Sequence, residues 1–219
     1  MHTIYEFVTG PLAWIAFATF ILGSIAQLIR LYILTRKKDP VVLQYLSLKY
    51  GLRSILHWII PFVPLSWKKN PALTVVTFIF HICLILVPIF LSAHVILWDQ
   101  AWGIEFWTLS NTVADVMTVL VILACIFFAV RRATQPNVRF VTSIQDWIAL
   151  IIVALPFISG FLVYHQLFAY KSMLIIHIIS GELFLAAIPF TRLSHMFYAP
   201  LIRAYTGSEF GAVRQARDW

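Results

Sequence analysis

Polar residues in this chain are gathered into short segments, and between them lie five stretches that stay apolar over residues 11–33, 72–97, 113–130, 147–167 and 173–196. At about 1.5 Å of rise per residue, each can cross the roughly 30 Å of a bilayer's hydrocarbon. The pattern therefore predicts an all-α integral membrane bundle of five transmembrane helices, a single domain over residues 1–219. Start signals accompany the spans. Gly10-Pro11 and Asn70-Pro71 place a proline at a first turn, while Thr112 with Asp115, and Ser143 with Asp146, have the spacing of capping boxes. Between the first two spans, residues 34–71 form a longer connection with an apolar-rich run from Leu46 to Pro61. Lys49 and Arg53 at i, i+4, with Trp58 and Trp67 near the end, mark it as an interfacial helix on the inner leaflet. Its role is either anchoring or a platform for a cytoplasmic partner.

Composition agrees with the pattern: 61% of the 219 residues are hydrophobic and 11% charged, against about 25% charged in a soluble domain. A mean hydropathy of +0.89 leaves too little polar surface for a water-soluble globule. Cys83 and Cys125 sit inside apolar runs far from any Cys-x-x-Cys spacing, which argues against a disulfide framework, a zinc site or an iron–sulfur cluster. Charge sets the orientation. Of the 16 Lys and Arg, all but Lys171 fall at one set of span ends, so the positive-inside rule puts the N-terminus outside and the C-terminus in the cytoplasm, with 199–219 as a cytoplasmic tail. The first span is too long, and its N-terminal flank too poor in basic residues, for a cleavable signal peptide. The basic residues are spread over three loops with no RNA or DNA motif, so no nucleic-acid partner is expected.

Seven histidines in so apolar a chain carry the candidate chemistry. His81 and His94 lie thirteen residues apart on the second span; His177 and His195 lie eighteen apart, five turns, on the fifth. Because the two spans run in opposite directions, His94 and His177 meet toward the outside and His81 and His195 toward the cytoplasm. An imidazole from each of two facing helices is what bis-histidine ligation of haem iron requires, and two such rungs hold two haems. Thirteen residues is off one helical face, and Pro88 and Pro189 supply kinks to absorb the mismatch. The competing reading of each histidine is a packed, hydrogen-bonded side chain. His165 is a substitute outer ligand or a polar neighbour of a substrate, His57 sits at the headgroup level, and His2 is in the outer tail.

The stretch from His177 through Pro189-Phe190-Thr191-Arg192-Leu193-Ser194-His195 resembles the last span of the gamma subunit of respiratory nitrate reductase, a five-helix cytochrome b. The layout is similar over nearly the whole chain, although the second-span histidines stand closer together in that subunit. The long connection and the tail from Gly207 to Trp219 are more similar to the cytochrome b subunits of sulfate-reducer transmembrane redox complexes. The resemblance implies two haem b on His81, His94, His177 and His195, and a quinone, menaquinone, as substrate. It also implies a cytoplasmic iron–sulfur partner, a periplasmic multihaem cytochrome c, and a bacterial or archaeal cytoplasmic membrane.

Quinone chemistry needs a proton acceptor, and Glu182, Asp115, His165 and Lys171 are the polar groups toward the outer side. Asp115 doubles as a helix cap, Lys171 as an interfacial residue, and Glu182 as a structural hydrogen-bonding group. Trp98, Trp102 and Trp107 fit an outer aromatic belt. Two other functions remain open: a proton or ion transporter with a histidine relay, and a non-conducting membrane anchor of a redox complex. In the docking reading, Arg203, Arg214 and Arg217 form a basic rim beside Trp58 and Trp67 for the iron–sulfur partner.

Overall fold

The computed structural model describes residues 2–218, and among them it is all helical, with no strand and five helices long and apolar enough to span a membrane. In chain order the helices are α1 (His2–Phe7), α2 (Ala13–Lys38), α3 (Val42–Tyr45), α4 (Leu48–Ile59), α5 (Leu65–Lys69), α6 (Pro71–Phe90), α7 (Ser92–Trp102), α8 (Asn111–Thr134), α9 (Pro136–Val141), α10 (Ile144–Tyr164), α11 (Tyr170–Ala187) and α12 (His195–Ser208). The first span starts earlier than Gly10-Pro11 predicts. α1 runs into α2 through a π-turn, Val8–Leu12, and this wider turn absorbs Pro11 inside a helical stretch of 36 residues, Thr3–Lys38. Pro71 does open α6.

Two compact units divide the chain: residues 76–184 with the N-terminal segment through Ala13, and residues 14–75 with those from Leu185 onward. In the first unit, the antiparallel spans α8 and α10 pack together. The Phe80 ring on α6 meets Phe128 on α8 edge-on at 5.2 Å. Both thiols are packed rather than lipid-facing, with Cys83 4% and Cys125 5% exposed. The α10 capping box forms as predicted, Asp146 accepting from the Ser143 N–H at 2.7 Å and the Ser143 hydroxyl at 2.9 Å. The Thr112/Asp115 box does not: Ser110 occupies the cap position of α8, and the Asp115 carboxylate is used elsewhere.

The second predicted span is broken. Pro88 weakens the end of α6, Leu91 is extended (φ −65°, ψ 131°), and the Phe90 carbonyl accepts from the Leu109 N–H at 2.8 Å. Beyond this break, the Trp98 and Trp102 rings lie 4.6 Å apart and Trp107 stacks on Phe90 at 4.5 Å.

In the second unit, α4 forms where an interfacial helix is expected and packs along α12 through small residues. A Cβ on Gly51 would meet the Ala204 Cβ at 3.2 Å, and one on Gly207 would meet the Tyr50 carbonyl at 2.6 Å. Ser54 and Ser208 are fully buried in this contact. Residues 199–218 are therefore packed within this unit. Asp218 is folded in and bonds the Arg203 guanidinium and the Ser54 hydroxyl, while Arg203 also covers the Trp58 ring at 4.4 Å. Burial pulls the Arg203 pKa below its ordinary value against the opposing pull of Asp218. Arg214 pairs with Glu209. Trp58 meets Trp67 edge-on at 5.7 Å. Arg203 and Trp58 are thus committed inside this unit rather than exposed on a rim.

The fifth predicted span also ends early. Pro189 tightens the helix end into a 3-10 turn, Ile188–Phe190, and Thr191 is extended (φ −119°, ψ −173°). The corner is tied by hydroxyls: Thr191 Oγ1 donates to the Ala187 carbonyl at 2.8 Å, and Ser194 Oγ donates to the Thr191 carbonyl at 2.7 Å. On α2, Gln27 Nε2 donates to the Pro189 carbonyl at 2.9 Å, and a Cβ on Gly23 would lie 2.8 Å from the Pro189 ring.

Candidate functional site

Within the first unit the structure brings His94 and His177 together, their rings nearly parallel at 9° with centroids 6.1 Å apart. The break at Leu91 is what places His94. It frees the chain from the α6 register and leaves the Pro88 carbonyl to accept from His94 Nδ1 at 2.9 Å. On α11, His177 Nδ1 donates to the Pro156 carbonyl of α10 at 3.0 Å, with Ser159 Oγ at 3.3 Å. Gly160 makes the room: a Cβ there would stand 2.9 Å from His177 Cε1 and 3.2 Å from Nδ1. Ser159 and Ser180 are buried and linked at 3.2 Å, and Ser180 Oγ also donates to the His177 carbonyl at 2.8 Å.

A carbonyl on Nδ1 fixes each ring as the tautomer whose Nε2 carries a lone pair, the arrangement usual for a metal-bound histidine. Neither Nε2 makes a hydrogen bond to the described residues. The centroid spacing lies at the wide end of offset ring stacking. Both are imidazoles with Nε2 left free of hydrogen bonds to the described residues, the donor type that would hold haem iron.

The other two candidate ligands share only the second-nitrogen geometry. His81, in the first unit, donates from Nδ1 to the Thr77 carbonyl at 2.8 Å and meets Phe80 edge-on at 5.1 Å. His195 belongs to the second unit, is exposed, and donates from Nδ1 to the Arg192 carbonyl at 2.8 Å. The argument that His177 and His195 share one helix face is corrected by the extended Thr191, which starts a new helix at His195. His57, on α4, donates to the Arg53 carbonyl at 2.7 Å.

Asp115 and His165 meet instead of serving as a cap and a spare ligand. Asp115 Oδ1 lies 2.9 Å from His165 Nε2, tying the start of α8 to the end of α10, with both side chains about one-third exposed (30% and 35%). The carboxylate can only accept, so Nε2 carries the proton and Nδ1 is left as an acceptor. The ring rests on Phe161 at 4.3 Å. Glu182, on α11, has both carboxylate oxygens buried without a hydrogen-bond partner among the described residues. An orphan of this kind costs on the order of 1–3 kcal/mol unless something else satisfies it. The residues that reading the sequence missed are Ser159 and Gly160; their adjacency as small residues on an apolar span is the available signal.

Fold and composition define an all-helical, multi-pass membrane protein. The chain belongs to the family of a protein from Nitratidesulfovibrio vulgaris (strain Hildenborough) described simply as "Protein": the two are 37% identical over 216 residues, covering 96% of this chain and 95% of that one. No family model matches the chain, and no solved structure matches it.

Proposed function

We propose that the protein is a di-haem b membrane subunit of a respiratory redox complex, carrying electrons between the quinone pool and a partner iron–sulfur or cytochrome c subunit. The observation that carries this reading is the parallel His94 and His177 pair, each ring fixed through Nδ1 by a backbone carbonyl. Haem bound there would supply one-electron chemistry inside the membrane, while the chain supplies ligation, orientation and a low dielectric. Assigning a second haem to His81 and His195 rests on the sequence order of the histidines and on the resemblance to nitrate reductase gamma subunits. So do menaquinone as the substrate and the cytoplasmic and periplasmic partners.

The Asp115–His165 pair is suited to proton acceptance from a quinol hydroxyl: the carboxylate holds the ring and stabilises its positive charge once His165 Nδ1 is protonated. Glu182 is a second candidate proton carrier at greater depth. The charge asymmetry supports an outside N-terminus and a cytoplasmic C-terminus.

The deciding experiment is a dithionite-reduced spectrum of the purified protein with pyridine haem quantification. The expected result is two b-type haems per chain, with His94→Ala and His177→Ala each removing the same one. Full haem content in His177→Ala, or no Soret band in the wild type, overturns the assignment. The latter result would leave a histidine relay or a passive anchor.

A further inference from the structure

At one end of the antiparallel α8–α10 pair, the connection through α9 borders an open cleft of about 560 Å³ lined by Arg132, Ala133, Arg139, Thr142 and Trp147. Its chemistry is one-sided. Arg132 turns back along α8 to donate to the Phe128 carbonyl at 3.3 Å, so its charge sits closer to the hydrocarbon than its backbone does. Arg139 is exposed on α9, and neither arginine meets a carboxylate among the described residues. The carboxylate in this connection, Asp146, caps α10 through Ser143. The Thr142 hydroxyl is spent on the Val138 carbonyl at 2.7 Å. The charged side chains that line the cleft are therefore two guanidiniums, with no carboxylate among the lining residues.

The rim is as informative as the lining. Phe140 is 92% exposed, Ile144 72% and Val141 68%, all within or next to the same short connection. Apolar side chains this bare, at the ends of two membrane spans, belong in lipid rather than water. The cleft thus opens at the boundary where a basic pocket and a hydrocarbon surface adjoin. A free inorganic anion would use only the first of these, whereas a phospholipid uses both: the phosphodiester bonds the guanidiniums and the acyl chains lie along Phe140, Val141 and Ile144. The volume accommodates a glycerophosphate head.

We propose that this cleft binds the phosphate headgroup of an anionic phospholipid, held by Arg132 and Arg139. The site is independent of haem binding, because it lies on different residues and needs only that α8 and α10 span a membrane. Arginine is the residue suited to bidentate phosphate contact, and basic pockets between spans are a recurrent way of retaining a particular lipid.

The test uses the full chain reconstituted in nanodiscs of phosphatidylcholine doped with phosphatidylglycerol, extracted into mild detergent and read by native mass spectrometry for retained lipid. Wild type should keep phosphatidylglycerol in preference to phosphatidylcholine. Arg132→Gln/Arg139→Gln should retain about tenfold less or lower still. A Lys37→Gln/Lys38→Gln variant, which removes the same charge from the end of α2, should retain it as wild type does. Because Arg132 also bonds the backbone, the single Arg139→Gln variant at an exposed position serves if the double variant does not fold, and it should show a smaller loss in the same direction. Equal retention in the arginine variants, or an equal loss in the lysine variant, overturns the proposal. Displacement of the lipid by millimolar inorganic phosphate would overturn the lipid assignment and make the cleft a site for a soluble anion.

Discussion

An imidazole can serve a metal through one nitrogen only if the other is prevented from rotating the ring away, and backbone carbonyls do this for His94 and His177. The support extends to a position with no side chain. Gly160→Ala would press a methyl group onto the His177 ring, whereas Gly181→Ala, with nothing within 4 Å, would touch nothing. Under the proposed function, Gly160→Ala should lower haem affinity at the outer site by about ten- to hundredfold. Gly181→Ala should leave it unchanged, both read from haem content after titration into apoprotein. Asp115→Asn keeps a polar group opposite His165 but loses the charge that supports its protonation. It should reduce quinol-dependent haem reduction by about a hundredfold while haem content stays at the wild-type level. An equal loss of haem would instead make Asp115 a structural residue.

At the scale of elements, the spans were legible because length and hydropathy are additive along the chain, and so was the α10 cap, whose Ser143 and Asp146 are local partners. The breaks were not. Pro88 and Pro189 read as kinks, yet whether a proline bends a helix or ends it depends on who takes the freed carbonyls. Here the takers include residues well outside the helix end: Leu109 after α6, alongside the nearer His94, and Gln27 after α11. Likewise Asp115 read as a cap because Thr112 stands at the right spacing, and its actual partner is 50 residues away. The packing of α12 was hidden for the same reason, since its small residues acquire meaning only against Gly51 and Ser54 of α4. Gly207→Val, opposed by backbone at Tyr50, should cost about 1–3 kcal/mol. It should expose residues 199–218 to protease in detergent. The His94 and His177 pair, in the other unit, should keep its spectrum.

For the molecule as a whole, the basic residues at one set of span ends predict that a reporter fused after the C-terminal residue is active in the cytoplasm. Periplasmic activity would invert the proposed sides of both haems. The continuous helical stretch Thr3–Lys38 has a further bearing on how the chain meets its bilayer. Its 36 residues amount to about 54 Å of helix, and even at the steep end of observed tilts, about 40°, it rises about 40 Å against a hydrocarbon thickness of about 30 Å. No orientation within that range conceals it. Some 10 Å must overhang, so the first helix acts as a mast whose length is slack with respect to insertion. Removing a full turn from it would still leave enough to cross, which makes this a span where register and membrane crossing can be altered separately.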